Sequence, residues 1–293
     1  MKRLLLTTAG LALALSTPAL ADSAVDELVV TAARLPADPA EITGARIIDR
    51  QEIEARQAAF ATDVLALVPG ISIARTGAFG GTSAIRIRGA SPDKTLVLVD
   101  GVPLNDPSDP NGSYDFADLQ LADIERVEVL SGPQSSLWGS DAIGGVVSLT
   151  SRELDGWRAE LEGGAFAAWR GSAAAGLAGE RRAIGVSLAG YRSDGISKAD
   201  KDDGATERDG FETFTASVNG RLAASDVLTL DGRVRYTDTD TETDGFPFPD
   251  FLLGDTPDRY RSQTWSGFAR ARLAGFVGLE HEFSLSAHAI DRE

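Results

Sequence analysis

The sequence predicts an α+β domain followed by the first strands of an antiparallel transmembrane β-barrel. Three observations predict it. A short apolar run follows a charged head at the start; residues 45–152 mix helix-capping residues with strand-like runs; and beyond Arg152 apolar and polar residues alternate with period two, with no helical stretch between.

Lys2 and Arg3 precede the apolar run Leu4 to Leu15, and Pro18-Ala19-Leu20-Ala21 ends in the small-x-small pattern of a cleaved leader. Residues 1–21 are therefore expected to be a signal peptide, too short to span a bilayer as a helix. The chain has no cysteine, so neither a disulfide framework nor thiol chemistry is available. With 44 acidic against 28 basic residues the formal net charge is -16, which argues against nucleic acid as a partner.

In residues 22–44, Leu28, Val29, Val30 and Thr31 form a short β-prone run bounded by Asp26, Glu27 and Arg34, with Pro36 and Pro39 after it. Such a run is either a loose first strand or a segment left unpaired for a partner to pair with. From residue 45 to 152 a compact α+β domain follows. Arg46-Ile47-Ile48 reads as a strand; Asp49 and Glu52 form a capping box for a helix through Arg56; Thr62-Asp63 caps a second helix, Val64 to Val68, which Pro69-Gly70 stops. Ile85 to Gly89 alternates like a strand. Leu96 to Val99 is continuously apolar, as a strand buried on both faces should be, and Asp100-Gly101 turns the chain back. Arg86, Arg88, Glu125, Arg126 and Glu128 either pair with one another and with the barrel wall or are ordinary solvated charges.

Residues 153–293 predict about seven strands, near 157–166, 170–178, 183–193, 211–222, 227–237, 263–274 and 279–290. Phe214, Ala216, Val218, Gly220 and Leu222 share one face; Thr213, Thr215, Ser217, Asn219 and Arg221 share the other. A soluble sandwich alternates in the same way. The barrel is favoured because Arg, Thr and Asp on the inward face would be costly in a sandwich core, and because short links alternate with long acidic ones at 194–210 and 238–261. No phosphate loop, metalloprotease motif or serine elbow is present, and His281 and His288 fall on opposite phases of the last strand; no enzyme and no organic cofactor are expected.

The run Ile124 to Pro133, continuing through Ser135 to Val147, resembles the end of the plug domain of TonB-dependent outer-membrane transporters. Val64 to Ile71, Ile85 to Ala90 and Leu96 to Asn105 are similar to other motifs of that plug. The resemblance implies transport and no covalent chemistry. It makes Asp26, Glu27, Leu28, Val29, Val30, Thr31 and Ala32 the TonB box, and TonB with its inner-membrane partner proteins the partners. It places the protein among the lipids of the Gram-negative outer membrane. Barrels of this family have about twenty-two strands, so the chain is expected to be an N-terminal part or a truncated, non-functional fragment.

Within the superfamily the chain looks most like the cobalamin transporters, through Asp26 to Arg34, Gly139 to Val147, Asp209-Gly210-Phe211, Leu252 to Thr256 and Tyr260 to Trp265. That likeness implies Ca²⁺ bound by Glu207, Asp209, Asp244 and Asp255, with Ser197 at a further ligand position. It also implies ligand contacts from Thr82, Ala84 and Ser91, and from Asn105 and Asp106 on the second of two apex loops, Arg75 to Ser83 and Asn105 to Tyr114. The second loop is more acidic and richer in proline than the family pattern, which keeps a related corrinoid, a siderophore or haem open as cargo.

Overall fold

The computed structural model describes residues 44–293 apart from 78, 107–108, 110, 200–206, 250 and 276–278. Residues 1–21, expected to be a signal peptide, and the Asp26–Ala32 segment lie outside the described residues. The first domain runs β1 (Ala45–Ile48), α1 (Arg50–Ala55), α2 (Ala61–Leu65), β2 (Ile71–Arg75), β3 (Ser83–Ile87), β4 (Thr95–Val99), β5 (Val102–Pro103), β6 (Ile124–Ser131), α3 (Ser135–Trp138) and β7 (Gly145–Ser151). Five strands form one sheet in the order β1-β6-β7-β4-β5, with β4 and β7 parallel; β2 and β3 form a separate hairpin.

The continuous apolar run of β4 is central and wholly buried. Val97 and Val99 face a core shared with Ile53, Val64 and Leu65 of the two helices; Leu96 and Leu98 face a second cluster with Ile47, Leu130 and Val146. Each such side chain contributes about 1.5–3 kcal/mol by leaving water. The Asp100-Gly101 turn closes β4 onto β5 with positive φ at both residues.

The helix starts differ from expectation in detail. Asp49 caps α1 by accepting the Glu52 N–H at 2.8 Å, but the Glu52 carboxylate turns away to Arg46 and Arg56, so the box is half made. The second helix begins earlier than predicted. Asp63 sits inside it and reaches back to accept the N–H groups of Ala59 and Phe60, 3.0 and 2.9 Å away, which lets the apolar Phe60 occupy the cap position.

Seven further strands form a single antiparallel sheet of consecutive neighbours: β8 (Gly156–Gly163), β9 (Trp169–Ala178), β10 (Arg182–Ser193), β11 (Phe211–Ala223), β12 (Leu228–Gly245), β13 (Gly254–Ala274) and β14 (Glu280–Arg292). The expected long loop at 238–261 is mostly strand. Acidic residues on one phase of β12 find cross-strand cations on β13, Asp240 with Arg261 at 2.8 Å and Glu242 with Arg259 at 2.5 Å, so the hairpin continues where charge alone suggested a loop.

Burial along these strands runs opposite to a soluble sheet. Thr213, Thr215, Ser217, Arg233, Arg235 and Thr237 are buried, whereas Phe214, Val218, Val234 and Trp265 are roughly half exposed. The first domain packs on the polar face and leaves the apolar face outward. That is the arrangement of a barrel wall in lipid around a filled lumen, and it removes the sandwich alternative. Among the described residues no helix is long and apolar enough to cross a membrane, a statement that bears only on helical spans.

Candidate functional site

The buried polar face of β11 and β12 meets the segment from Leu104 to Ile124 in two levels. At the lower level Asp123 binds three groups: Arg235 at 2.8 Å, the Ser217 hydroxyl at 2.8 Å, and Arg233. Arg233 also reaches Asp100 at 2.6 Å, and Arg235 donates to the Gln120 carbonyl at 3.0 Å. Burial by itself would push the Asp123 carboxyl up, but the Arg235 and Arg233 guanidiniums outweigh it and hold it at about 2. Glu54 with Arg158, and Glu153 with Arg221, add ion pairs between the domain or its linker and the wall nearer the short turns.

At the upper level the wall carries hydroxyls instead of guanidiniums. Thr237, Thr239, Thr241 and Thr243 point inward from β12, with Thr239 paired to Thr213 and Thr237 to Thr215 at 3.1 and 3.2 Å. Between them and the plug-side loops lies a cavity of about 270 Å³. Asp115 and Asp118 line it. Asp118 accepts from Thr239 at 2.9 Å, and Asp115 accepts the N–H groups of Ser83 and Ala117 at 2.8 and 3.0 Å. Burial, then the charge of Asp115, push Asp118 up to about 6; burial also raises Asp115.

The outer end of this contact is aromatic. Phe60 and Phe79 of the first domain meet Tyr191 of β10 and Phe211 of β11, with ring centroids 5.1–6.1 Å apart. Gly80 has φ +88°, and a Cβ there would lie 2.3 Å from the Phe211 ring, so only glycine lets the apex loop seat this closely.

Three of the four carboxylates expected to hold calcium converge. Glu207, Asp244 and Asp255 each offer an oxygen within 4.8 Å of the others. Asp209 lies beside Asp244 and is pushed up by burial and then by that neighbour's charge; Glu207 is raised too, by desolvation and then by Asp255, Asp244 and Asp209. Ser197 does reach this cluster, through its hydroxyl to Asp244 at 3.3 Å. The Lys198 and Ala199 N–H groups cap Asp209 and Asp244 at 2.5 and 2.6 Å. The Lys198 ammonium bonds the Glu242 carbonyl nearby, and burial lowers its pKa.

The expected ligand contacts divide. Thr82 and Asp106 line the cavity, Asp106 deeply buried and paired with Arg292. Ala84 lies in β3 opposite Ala74. Ser91 is exposed at the start of the turn Pro92–Lys94, away from this cavity. Asn105 has a scaffolding place: its amide accepts the Val97 N–H at 2.9 Å and donates to the Thr95 and Gly112 carbonyls at 3.1 and 3.0 Å, tying the second apex loop to β4. Of the five charges singled out earlier, Arg126 pairs with Glu128 and Glu125 with Arg152. Among the charges that meet the wall, Asp118 and Asp123 carry no distinguishing sequence signal. The inward threonines of β12 do carry one, a strict alternation from Thr237 to Thr243 inside an otherwise acidic run.

Comparison with known proteins agrees with this geometry. Residues 38–146 match the TonB-dependent receptor plug domain. By that match residues 38–146 are a receptor plug domain and not an enzyme domain. Similar solved structures include the ferripyoverdine receptor of the Pseudomonas aeruginosa outer membrane bound to ferripyoverdine, with TM-score 0.71, 18% identity, and 89% of this chain and 36% of that chain covered. The ferric enterobactin receptor PfeA of P. aeruginosa in complex with enterobactin gives TM-score 0.61, 20% identity, and 84% and 40% covered. The ferric-catecholate import receptor Fiu of E. coli in its closed form gives 0.69, 18%, 88% and 38%. At these identities the likeness is one of fold. The chain spans well under half the length of these receptors.

Proposed function

We propose that the chain is the plug and first barrel strands of a TonB-dependent receptor in the Gram-negative outer membrane, which imports a metal chelate. The observation that carries this reading is the inverted burial of β9 to β13, apolar side outward and polar side filled by a plug domain. Ligand binds between the apex loops and the hydroxyl-lined wall. Binding changes the presentation of the Asp26–Ala32 segment to the periplasm, TonB adds a strand to it, and the pull remodels the plug. The Asp123–Arg233–Arg235 contact is what such a pull has to break.

The cargo has two readings. Cobalamin or a related corrinoid follows from the sequence likeness in the plug end and in the barrel segments near Asp209, Leu252 and Tyr260. A ferric siderophore follows from what the similar solved receptors bind. Calcium at Glu207, Asp209, Asp244 and Asp255 belongs to the first. The residues suit it: the donors are hard oxygens, their crowding raises Glu207 and Asp209, and the buried Oδ1 of Asp244 has no hydrogen-bond partner among the described residues. Bound calcium would relieve that repulsion and hold the two loops together.

The test is binding of cyanocobalamin and of ferric siderophores to the protein made from its complete reading frame, with and without Ca²⁺, alongside uptake in cells with and without TonB. Calcium-dependent cobalamin binding supports the corrinoid reading. Binding of a ferric siderophore alone moves the cargo, and TonB-independent uptake defeats the importer reading.

A further inference from the structure

We infer that the cavity between plug and wall selects a metal chelate that is neutral or cationic, and discriminates against polyanionic chelates such as ferric tris-catecholates. This rests on the receptor reading above and narrows its cargo by charge.

The cavity holds cations as well as acids, but the cations are already neutralised. Arg235 is held by Asp123 and the Gln120 carbonyl, Arg292 is paired with the buried Asp106, and Lys198 sits against the Glu242 carbonyl within reach of the charges of Asp209 and Asp244. Among the described residues Asp115 and Asp118 make no ion pair. Their bonds come from backbone N–H groups and a threonine hydroxyl, and Arg292 and Arg235, each already paired elsewhere, act on them only at longer range, so much of their charge still faces the cavity. The rest of the strand wall is threonine and serine with Tyr260 and Ile290, which offers hydroxyls but brings no charge to stabilise an anion.

The rim adds to the same sign. Glu207, Asp244 and Asp255 crowd one another above the cavity, and one divalent ion there would not neutralise them together with Asp209. Over the whole chain the formal charge is -16, so the long-range field slows the approach of an anion as well. A like charge meeting Asp118 in a half-buried setting is disfavoured by an amount that reads as about tenfold or more in affinity.

The experiment is equilibrium binding, in calcium, of three probes to the protein made from its complete reading frame: cyanocobalamin, a neutral ferric tris-hydroxamate, and the trianionic ferric tris-catecholate. The expected result is that the better neutral probe binds at least about tenfold more tightly than the tris-catecholate. Asp118→Asn, which keeps a side chain able to bond Thr239, should narrow that ratio several-fold, chiefly by tightening the tris-catecholate. Tris-catecholate binding as tight as that of the neutral probes, or a ratio unmoved by Asp118→Asn, overturns the charge selection and leaves the receptor reading intact. Binding of none of the three by folded protein overturns both.

Discussion

Asp118 and Asp123 lie on the same segment and face the same wall, Asp118 half-buried and Asp123 buried, yet one is pushed up to about 6 and the other held at about 2. The difference lies in the wall. Asp123 meets two guanidiniums and a serine, whereas Asp118 meets a threonine and a second carboxylate. Desolvation raises any buried carboxyl; what it finds inside decides whether burial becomes a clasp or an open site. The lower level of this interface therefore holds the plug, and at the upper level Asp118 is left beside a cavity with a hydroxyl for a partner.

Breaking the lower level should have the largest effect. Asp123→Ala leaves Arg233 and Arg235 buried without their shared carboxylate, and about 3–5 kcal/mol of plug docking should be lost. Protease digestion of the folded protein should then cut the plug while sparing the barrel strands. A plug as resistant as the wild type would mean that the clasp is not what retains it.

Acid should separate the two levels by sign. The folded pKa of Asp123 is depressed, so its contribution is present above the ordinary carboxylate value of 3.8 and is lost as pH falls from there toward about 2. The folded pKa of Asp118 is raised, so its ionised form opposes docking above about 6, and that penalty fades as pH falls toward 3.8. Plug retention should rise modestly between neutrality and the mid-acid range, then drop, each limb on the order of 2 kcal/mol. Asp118→Asn should flatten the first limb and Asp123→Asn the second, read by protease resistance across pH.

A smaller effect is expected where the apex loop seats on the aromatic cluster. Gly80→Ala requires a left-handed backbone and a contact with Phe211 that cannot be accommodated as it stands, so the loop should shift at a cost of about 1–3 kcal/mol. Ligand affinity should fall while plug retention at neutral pH stays close to wild type. The smallest change sharpens the hydroxyl wall. Thr237→Val removes one partner of the Thr215 pair and should cost about 0.5–1.5 kcal/mol by thermal unfolding, with no change in protease protection of the plug.

Much of this architecture was legible in the chain. Two-residue periodicity places Thr213, Thr215 and Ser217 on one face and Phe214 and Val218 on the other, because successive strand side chains point to opposite sides whatever surrounds them. The unbroken run Leu96 to Val99 likewise marks a strand covered on both faces. The boundaries of β12 and β13 were not legible, since their acidic residues become strand only through arginines on the neighbouring strand. Nor was the place of Asn105, whose short polar side chain suits a ligand contact or a backbone tie equally well.

The amino-acid order by itself determined which residues share a face, where the apolar plug core lies, and that seven strands follow it. Only the tertiary structure decided which face is buried and what each buried charge does. Asp123 becomes a clasp through arginines 110 and 112 positions away, while Asp118 makes no ion pair among the described residues because the side chain it meets on the wall is a threonine. Periodicity is a local property of the backbone, whereas the energy of a buried charge depends on atoms that the fold brings together from distant parts of the chain.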